Sequence, residues 1–370
     1  MWPVQPLLHA EPGGVTPISA RSVVPRPFVV LQSYQQPTST TNPYIVLLSN
    51  SLAALPNVEV LTFTWRRALT ARVDVFHMHW PEIRISGRTA SRRIAQQVLF
   101  ALLMCRLHLT RTAIVRTAHN LRLPEGISRR ETLLLRLADR WTTLRIRLNT
   151  TTEFAAGQPF VTIAHGHYKD WFKPHVKLAP IPGRIVYFGL IRRYKGVEGL
   201  IDAFRQVPVA ANLRLVVAGR PSSWELAAQL TNSAGADERI DLRLEFLSDE
   251  ELVGLVTTAE LVVLPYREMH NSGGALTALS LARSVLLPDN IVNRTLRDEA
   301  GPGWIFGYEG DLTNRHLVDA VRLLRTEPPT LPEPDLSRRN WDTVGSAHLA
   351  AYREAVRLAR SRPRRRTSHK

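Results

Sequence analysis

Cysteine is almost missing from this 370-residue sequence, in which Cys105 stands alone. A single cysteine excludes an intrachain disulfide and any zinc cluster built from cysteine ligands, and it fits a reducing compartment. Long hydrophobic runs are missing too, because the most apolar segment, 98–105, is far shorter than the roughly 20 residues that span a bilayer. The N-terminal segment has neither a basic start nor an apolar centre, so no secretion signal is expected. Together these absences predict a cytoplasmic protein without a transmembrane helix.

Acidic residues are scarce relative to basic ones. The chain has 32 Asp and Glu against 48 Lys and Arg, which gives a formal net charge of +16 at pH 7. Such a charge favours an anionic partner, and three kinds are open: an anionic membrane surface, an anionic sugar-lipid substrate or nucleic acid. Nucleic acid is the least favoured, because its binding surfaces interleave aromatic with basic residues and the arginine-rich helices of this chain do not. We therefore expect a peripheral contact with the inner face of the plasma membrane.

Apolar, β-favouring runs alternate with amphipathic helical segments along most of the chain. This alternation predicts an α/β fold built from doubly wound parallel sheets, and the length suffices for two cores. A proline-containing segment, 173–183, separates two runs of such units and predicts a domain boundary. The predicted organisation is an irregular lead-in (1–27), a first Rossmann-like domain (28–178), a second Rossmann-like domain (179–335), a terminal helix (336–360) and a basic disordered tail (361–370).

Two arginine-rich helices are predicted in the first domain, over 90–109 and 127–141. In each, apolar residues recur at spacings of three and four, which places them on one side of the helix. We expect that side to face the core and the arginines to face solvent. The residues predicted to face inward are Ile94, Val98, Ala101, Leu102 and Cys105 in the first helix and Leu133, Leu134 and Leu137 in the second.

The segment 261–289 predicts a phosphate-binding junction. An apolar strand is followed by a polar turn with Gly273 and Gly274, then by a helix of small apolar residues and by another strand. At such a junction the unpaired N–H groups and the positive end of the helix dipole face one point, which suits a phosphate. The two glycines lack a Cβ and would let a ligand approach the backbone closely.

The segment 184–196 predicts a second part of the same site. A strand ends at Gly189, and a cationic loop with Arg192, Arg193 and Lys195 leads into an amphipathic helix. Fixed cations at one strand end and a helix N-terminus at another form a plausible cradle for a diphosphate.

At this point the chain resembles a known family. The two segments are similar to the nucleotide half of retaining-type GT-B glycosyltransferases, and segments 75–82 and 115–120 resemble acceptor-domain segments of bacterial exopolysaccharide glycosyltransferases of the family 4-like, group 1 kind. The resemblance implies a GT-B fold, in which two Rossmann-like domains face a cleft and the terminal helix crosses back to the first domain. It also implies a glycosyltransferase that moves a hexose from a nucleotide-sugar donor to a carbohydrate or lipid-linked acceptor in exopolysaccharide or glycolipid synthesis. No metal cofactor is expected.

On the donor side, the resemblance implies that Lys195, with Arg192 or Arg193, neutralises the leaving diphosphate and that Glu268 faces the donor sugar. This sequence departs from the family in two places: Leu190 stands where an arginine usually follows the glycine, and the helix after Gly274 lacks the second glutamate. The departures leave the base (UDP, GDP or ADP) and the retaining or inverting outcome open. The other implied donor-binding residues are Gly189, His165, Asn271, Ser272, Gly273 and Gly274.

On the acceptor side, His119 follows a strand and is placed to take the proton of the acceptor hydroxyl, or equally to serve as a structural histidine. His79, Trp80, Glu82 and Asn120 are the expected acceptor-binding residues, since a ring surface and a carboxylate suit a sugar. Two alternatives stay open: a sugar-nucleotide epimerase or hydrolase of the same fold, and a non-catalytic protein that binds a sugar nucleotide or nucleic acid.

Overall fold

The computed structural model describes residues 26–38, 41–119, 123, 126–266 and 273–361. It contains two six-stranded sheets whose paired strands are all parallel, with helices on both faces, which confirms the predicted α/β fold. The first sheet has the order β2-β1-β3-β4-β5-β6, and its strands are β1 (Phe28–Gln32), β2 (Val58–Leu61), β3 (Val75–Met78), β4 (Ala113–Ala118), β5 (Leu144–Arg147) and β6 (Phe160–Thr162). The helices between and after them are α1 (Pro43–Ala53), α2 (Trp65–Thr70), α3 (Ala90–Leu109), α4 (Arg129–Trp141) and α5 (Lys169–Phe172).

The second sheet repeats this arrangement with the order β12-β11-β10-β7-β8-β9. Its strands are β7 (Arg184–Phe188), β8 (Arg214–Ala218), β9 (Ile240–Arg243), β10 (Leu261–Val263), β11 (Val285–Pro288) and β12 (Ile305–Tyr308). Its helices are α6 (Val197–Arg205), α7 (Trp224–Ala234), α8 (Asp249–Thr257), α9 (Gly273–Ser280), α10 (Ile291–Ala300) and α11 (Asn314–Thr326), and the last helix is α12 (Trp341–Ser361). The chain passes from one sheet to the other between β6 and β7; the residue bounds assigned to the domains from the sequence stay a prediction.

Helix α3 buries a different face from the one predicted, and helix α4 buries only part of the predicted one. In α3, Phe100, Leu103 and Met104 are fully buried against the first sheet, whereas Val98 and Leu102 are each 54% exposed. The helix has apolar residues on two sides, so periodicity alone could not choose between them, and the side with phenylalanine and methionine fills the core. In α4, Leu134 packs against the core as predicted, but the buried positions are Leu135 and Ala138, and Leu133 is 68% exposed.

Helix α12 belongs to the core of the first domain although it follows the second in sequence. Its residues Val344, Tyr352 and Ala355 pack with α1 and with the buried side chains of the first sheet. The contact with α1 is close, because a Cβ built on Gly345 would lie 2.0 Å from the Ser51 hydroxyl oxygen. That hydroxyl in turn donates a 2.5 Å hydrogen bond to the carbonyl of Trp341. Gly345 is therefore needed for the close approach of α1 and α12.

Replacing Gly345 with alanine should destabilise the protein, although alanine is the better helix former by about 1 kcal/mol. The added methyl group must push α12 away from Ser51, at a cost of about 1–3 kcal/mol. Urea unfolding measures the change. The matched control is Ser346→Ala at the neighbouring exposed position of α12, which should be neutral or slightly stabilising. Equal stabilities of the two variants would contradict the close packing described.

Candidate active site

A cleft of about 420 Å³ lies between the two domains. The start of α1 borders it on one side, and the ends of β7 and β8 and the start of α9 border it on the other. A larger cavity, of about 740 Å³, lies beside α4 on the first domain, and none of the predicted site residues borders it. The cleft is the candidate active site, because it is bordered by three predicted donor-binding residues, Gly189, Lys195 and Gly274.

Lys195 and Gly189 meet at the end of β7. Gly189 has a φ of +104°, which favours glycine, and a Cβ built on it would lie 3.8 Å from the Lys195 Nζ. Burial, with a smaller effect of the Arg192 charge, lowers the pKa of Lys195 to about 8. The ammonium group lies 5.2 Å from the centroid of the Tyr266 ring. A half-buried cation thus faces the cleft, whereas the side chain of Arg192 is exposed and does not border it.

The start of α9 borders the cleft on the same side as Lys195. A Cβ on Gly274 would lie 2.8 Å from the Tyr266 hydroxyl and 3.2 Å from a methyl group of Leu264, so only glycine fits there without a shift. A Cβ on Gly273 would lie 3.4 Å from the Tyr168 hydroxyl. Three of the predicted donor-side residues, Glu268, Asn271 and Ser272, lie outside the described residues.

Sequence reasoning missed a group of residues on the β8 and β9 side of the cleft. Arg220 follows Gly219 directly after β8, which repeats the strand-glycine pattern of β7 and was the available signal. Beyond β9, Glu245 and Phe246 border the cleft, and Phe246 is 69% exposed. They lie in a loop without a motif, so the sequence held no comparable signal for them. Nearby, the indole N–H of Trp171 donates a 3.0 Å hydrogen bond to the Asp249 carboxylate.

The predicted acceptor side contains a chain of hydrogen bonds through buried side chains. His119 Nε2 lies 3.1 Å from His79 Nδ1, and His79 Nε2 lies 3.2 Å from the Gln32 amide oxygen. The Gln32 amide N–H donates to the Tyr352 hydroxyl of α12 at 3.3 Å. That hydroxyl also lies 2.8 Å from His77 Nδ1. This series of hydrogen bonds therefore connects His119, at the end of β4, to the C-terminal helix α12.

The Gln32 amide determines which atoms donate and which accept the hydrogen bonds of this series. Since its amide N–H donates to Tyr352, its carbonyl oxygen accepts from His79, which must carry its proton on Nε2. His79 Nδ1 is then an acceptor, so His119 donates from Nε2. This leaves the lone pair on Nδ1 of His119, a ring that is only partly buried. Neutral His119 is thus held in the tautomer that can accept a proton at Nδ1.

Burial keeps the histidines of this region neutral. It lowers the pKa values of His77, His79 and His119 well below the usual range, and neighbouring histidines lower them further. Burial also lowers the pKa of His165 to about 4 and that of His348, on α12, to about 4. Bases of this kind are unprotonated at neutral pH.

The other predicted residues of this side lie at different depths. The Trp80 ring stacks on His119 with centroids 4.1 Å apart, and Glu82 is half-exposed in the short 3-10 helix Pro81–Arg84. His79 is only 2% exposed, so it contacts His119 rather than open space. His165 does not border the cleft itself; its Nε2 lies 3.3 Å from the hydroxyl of Tyr168, which does. Asn120 lies outside the described residues.

No family model matches the chain. Two relatives do match it, both named GDP-mannose:glycolipid 4-beta-D-mannosyltransferase and both from Xanthomonas campestris pv. campestris. They are 42% and 41% identical to this chain over 342 residues, which cover 92% of it and 96% of each relative. The chain belongs to this family of glycosyltransferases. The predicted transfer from a nucleotide-sugar donor is thereby confirmed, and the epimerase, hydrolase and non-catalytic alternatives are set aside.

Solved structures share the fold of this glycosyltransferase at low identity. Sucrose-phosphate synthase from Thermosynechococcus elongatus aligns with a TM-score of 0.59 and 14% identity over 89% of this chain and 99% of its own. AviGT4, a glycosyltransferase involved in avilamycin A biosynthesis, aligns with a TM-score of 0.56 and 14% identity over 90% and 98%. These likenesses confirm the predicted GT-B architecture.

The described residues of this glycosyltransferase were searched for membrane-spanning helices and for groups of metal-binding side chains. No helix there is long and apolar enough to cross a membrane. Nor do three or more His, Cys, Asp or Glu side chains come together in a metal-binding group among those residues. Both ring nitrogens of His77 and of His79 are engaged in hydrogen bonds. Independence of metal stays a prediction.

We expect the stability of the enzyme to fall as the pH drops from about 7 towards 4. A histidine with an unfolded pKa of about 6.5 and a folded pKa lowered to about 4 binds more protons when unfolded, so acid favours unfolding by up to about 3 kcal/mol per group. His348→Asn tests one group, because asparagine can still donate to the Val344 carbonyl, as His348 Nδ1 does, but does not titrate. Urea unfolding between about pH 7.5 and pH 4.5 should show a shallower pH dependence in the variant. Parallel curves would refute a neutral, buried His348.

Proposed function

We propose that this glycosyltransferase transfers mannose from GDP-mannose to a glycolipid and forms a β linkage to the acceptor 4-hydroxyl, at the inner face of the plasma membrane. The observation that carries the proposal is the 42% identity to mannosyltransferases of that name over nearly the whole of both chains. The interdomain cleft supports it, because Lys195 and Arg220 supply cations for a diphosphate. The net charge of +16 supports a location at an anionic lipid surface.

A β product implies inversion at the sugar carbon, since the mannose of GDP-mannose is α-linked to the phosphate. In the proposed step the acceptor oxygen attacks C1 from the face opposite the diphosphate. The new C–O bond forms as the C1–O bond to phosphate breaks, GDP leaves, and a base takes the hydroxyl proton. The helix α9 contains no acid, which supports a departure from the retaining members of the fold.

His119 is our candidate for the base. Its Nδ1 carries the lone pair in the tautomer set by His79 and Gln32, and its lowered pKa keeps it unprotonated at neutral pH. Trp80, which stacks on His119, and Glu82 would bind the acceptor sugar. We propose a positioning role for the buried His79 in place of direct acceptor contact. Asn120 remains a candidate acceptor ligand.

On the donor side, Lys195 and Arg220 would stabilise the diphosphate as its negative charge develops. Gly273 and Gly274 would let the phosphate approach the start of α9. Glu268 is the candidate carboxylate facing the mannose. The remaining candidate donor ligands are Gly189, Arg192, His165, Asn271 and Ser272.

We assign the guanine to the side of the cleft bordered by Glu245 and Phe246. A carboxylate would repel a diphosphate, but it accepts a pair of hydrogen bonds from the N1–H and the 2-amino group of guanine. Phe246 is 69% exposed and offers a ring face for stacking. Of the two acids that border the cleft, Asp249 already accepts from Trp171, which leaves Glu245 for the base.

GDP should raise the melting temperature of the protein more than UDP or ADP does, because a ligand of the folded state stabilises it by mass action. Lys195→Ala should weaken the effect of all three nucleotides. Glu245→Gln should weaken only that of GDP, by roughly tenfold in Kd, because the neutral amide loses one strong acceptor. The control is Glu250→Gln, one position beyond Asp249 and not bordering the cleft. Equal responses to all nucleotides would refute the guanine assignment.

Mannosyl transfer should depend on His119 and on its partner. His119→Ala should lower kcat by about 10²–10⁴-fold while the thermal shift with GDP persists. His79→Leu should lower kcat less and change the pH profile, because His119 loses the acceptor that sets its tautomer. His79→Asn is the matched variant, since its amide oxygen can replace Nδ1 and restore much of the rate. If His79→Leu and His79→Asn are equally active, the positioning role is wrong.

A further inference from the structure

The outer face of α3 has an apolar stripe that no described element covers. Ile94 is 47% exposed, Val98 and Leu102 are each 54% exposed, and Leu109 is 81% exposed; Cys105 is exposed as well. The spacings of three and four residues place these side chains within about 80° around the helix, along about 22 Å of its length. Exposed apolar residues normally occur singly on soluble proteins, so a continuous stripe marks an interaction surface.

The charged residues of α3 and α4 around this stripe are mainly basic. Helix α3 contains no Asp or Glu. The two acids of α4 are engaged, because Glu131 is buried in the capping box with Ser128, and Asp139 pairs with Arg116 and Arg145. The exposed arginines on the outer face of α4 and before and at the start of α3 are Arg88, Arg92, Arg93, Arg129, Arg136 and Arg140. We name the stripe and these arginines the α3–α4 surface.

We propose that the α3–α4 surface docks the enzyme on an anionic phospholipid membrane. The stripe would enter the boundary between headgroups and acyl chains, and the arginines would contact lipid phosphates. An amphipathic helix with a basic border binds such a surface without crossing it.

The position of the surface relative to the predicted acceptor-side residues supports this occupant. Helix α3 follows β3 and so begins at the carboxyl edge of the first sheet, where Trp80 and His119 lie. Ile83, in the short 3-10 helix that connects Trp80 to α3, is 51% exposed. This step rests on the proposed function, because a glycolipid whose sugar lies beside His119 must keep its lipid part in a membrane nearby.

A second copy of the chain fits the surface less well. A symmetric dimer through this face would bring the arginines of both copies together, while α3 has no acid and both acids of α4 are already engaged within the chain. Anionic lipid headgroups supply the missing charge.

The test uses the full chain without nucleotide or acceptor, mixed with vesicles of phosphatidylcholine that contain about 30% phosphatidylglycerol. The triple variant Ile94→Gln, Val98→Gln, Leu102→Gln should bind at least tenfold more weakly than the wild type in a sedimentation assay. The matched control replaces three exposed apolar residues of the second domain, Val209→Gln, Trp224→Gln and Ile291→Gln, which are 77%, 76% and 55% exposed, and should bind like the wild type. Arg129→Gln with Arg136→Gln should weaken binding and reduce its dependence on salt.

Cys105 gives a direct readout of insertion. It is the only cysteine of the chain and lies exposed on the stripe, so a polarity-sensitive fluorophore attached to it reports the surroundings of α3. We expect a blue shift with the anionic vesicles and a much smaller one with phosphatidylcholine alone. Binding without a blue shift, or binding that survives the triple variant, would place the contact elsewhere, for example in the basic C-terminal tail, and overturn the proposal.

One further outcome would decide between a membrane and a second copy of the chain as the occupant of this surface, and another would separate the docking proposal from the proposed donor. A wild-type dimer that the triple variant dissociates, with no binding to vesicles, would make this face an interface between copies and overturn membrane docking. Vesicle binding combined with no response to GDP would leave the docking surface standing and reject the proposed donor. The two proposals therefore fail in distinguishable ways.

Discussion

The packing of α12 against the first sheet is the constraint on which the site depends. Helix α12 contributes Tyr352, whose hydroxyl lies between His77 and Gln32 and so fixes the amide that orients His79. The start of α12 fixes a second segment, because the Trp341 indole N–H donates to the carbonyl of His167 at 2.7 Å. A helix from the end of the chain therefore completes the acceptor side near its beginning. Gly345, which allows the close contact of α12 with α1, therefore supports the position of Tyr352 as well.

The candidate site residues of the two domains differ in their charge. On the first domain, burial disfavours the charged form of each histidine, so the hydrogen-bond chain consists of neutral groups whose tautomers are set by Gln32 and Tyr352. On the second domain, Lys195 is half-buried and Arg220 is exposed, so both can meet an anion. In the proposed inverting transfer from a nucleotide-diphosphate sugar, the neutral His119 would take the proton and the cations would stabilise the leaving diphosphate. This difference in charge between the two domains follows from how deeply the residues are buried more than from the residue types alone.

Most of the fold and part of the site were accessible from the sequence. Local signals were sufficient for the strands, and they placed Gly189, Lys195 and Gly274 at the ends of elements, where they border the cleft; their role in donor binding stays a prediction. The hydrogen-bond chain was not accessible, since Gln32 and Tyr352 are 320 positions apart and meet only after α12 packs. Glu245 lies in a loop without a motif. The inner face of α3 was predicted wrongly because both sides of α3 are apolar, and a periodicity argument cannot tell which one the sheet covers.

The presence of two apolar sides on α3 has a physical consequence. A helix with one apolar side satisfies the hydrophobic effect by packing on its own sheet, and a second apolar side is then a cost unless something outside the domain covers it. In α3 the inner side contains the larger residues Phe100 and Met104 and closes the core, while the outer side contains Val98 and Leu102. Arginines and no acids border the outer side. The same helix thus holds the first domain together through one face and, through the other, faces the surface on which a lipid-linked acceptor would be found.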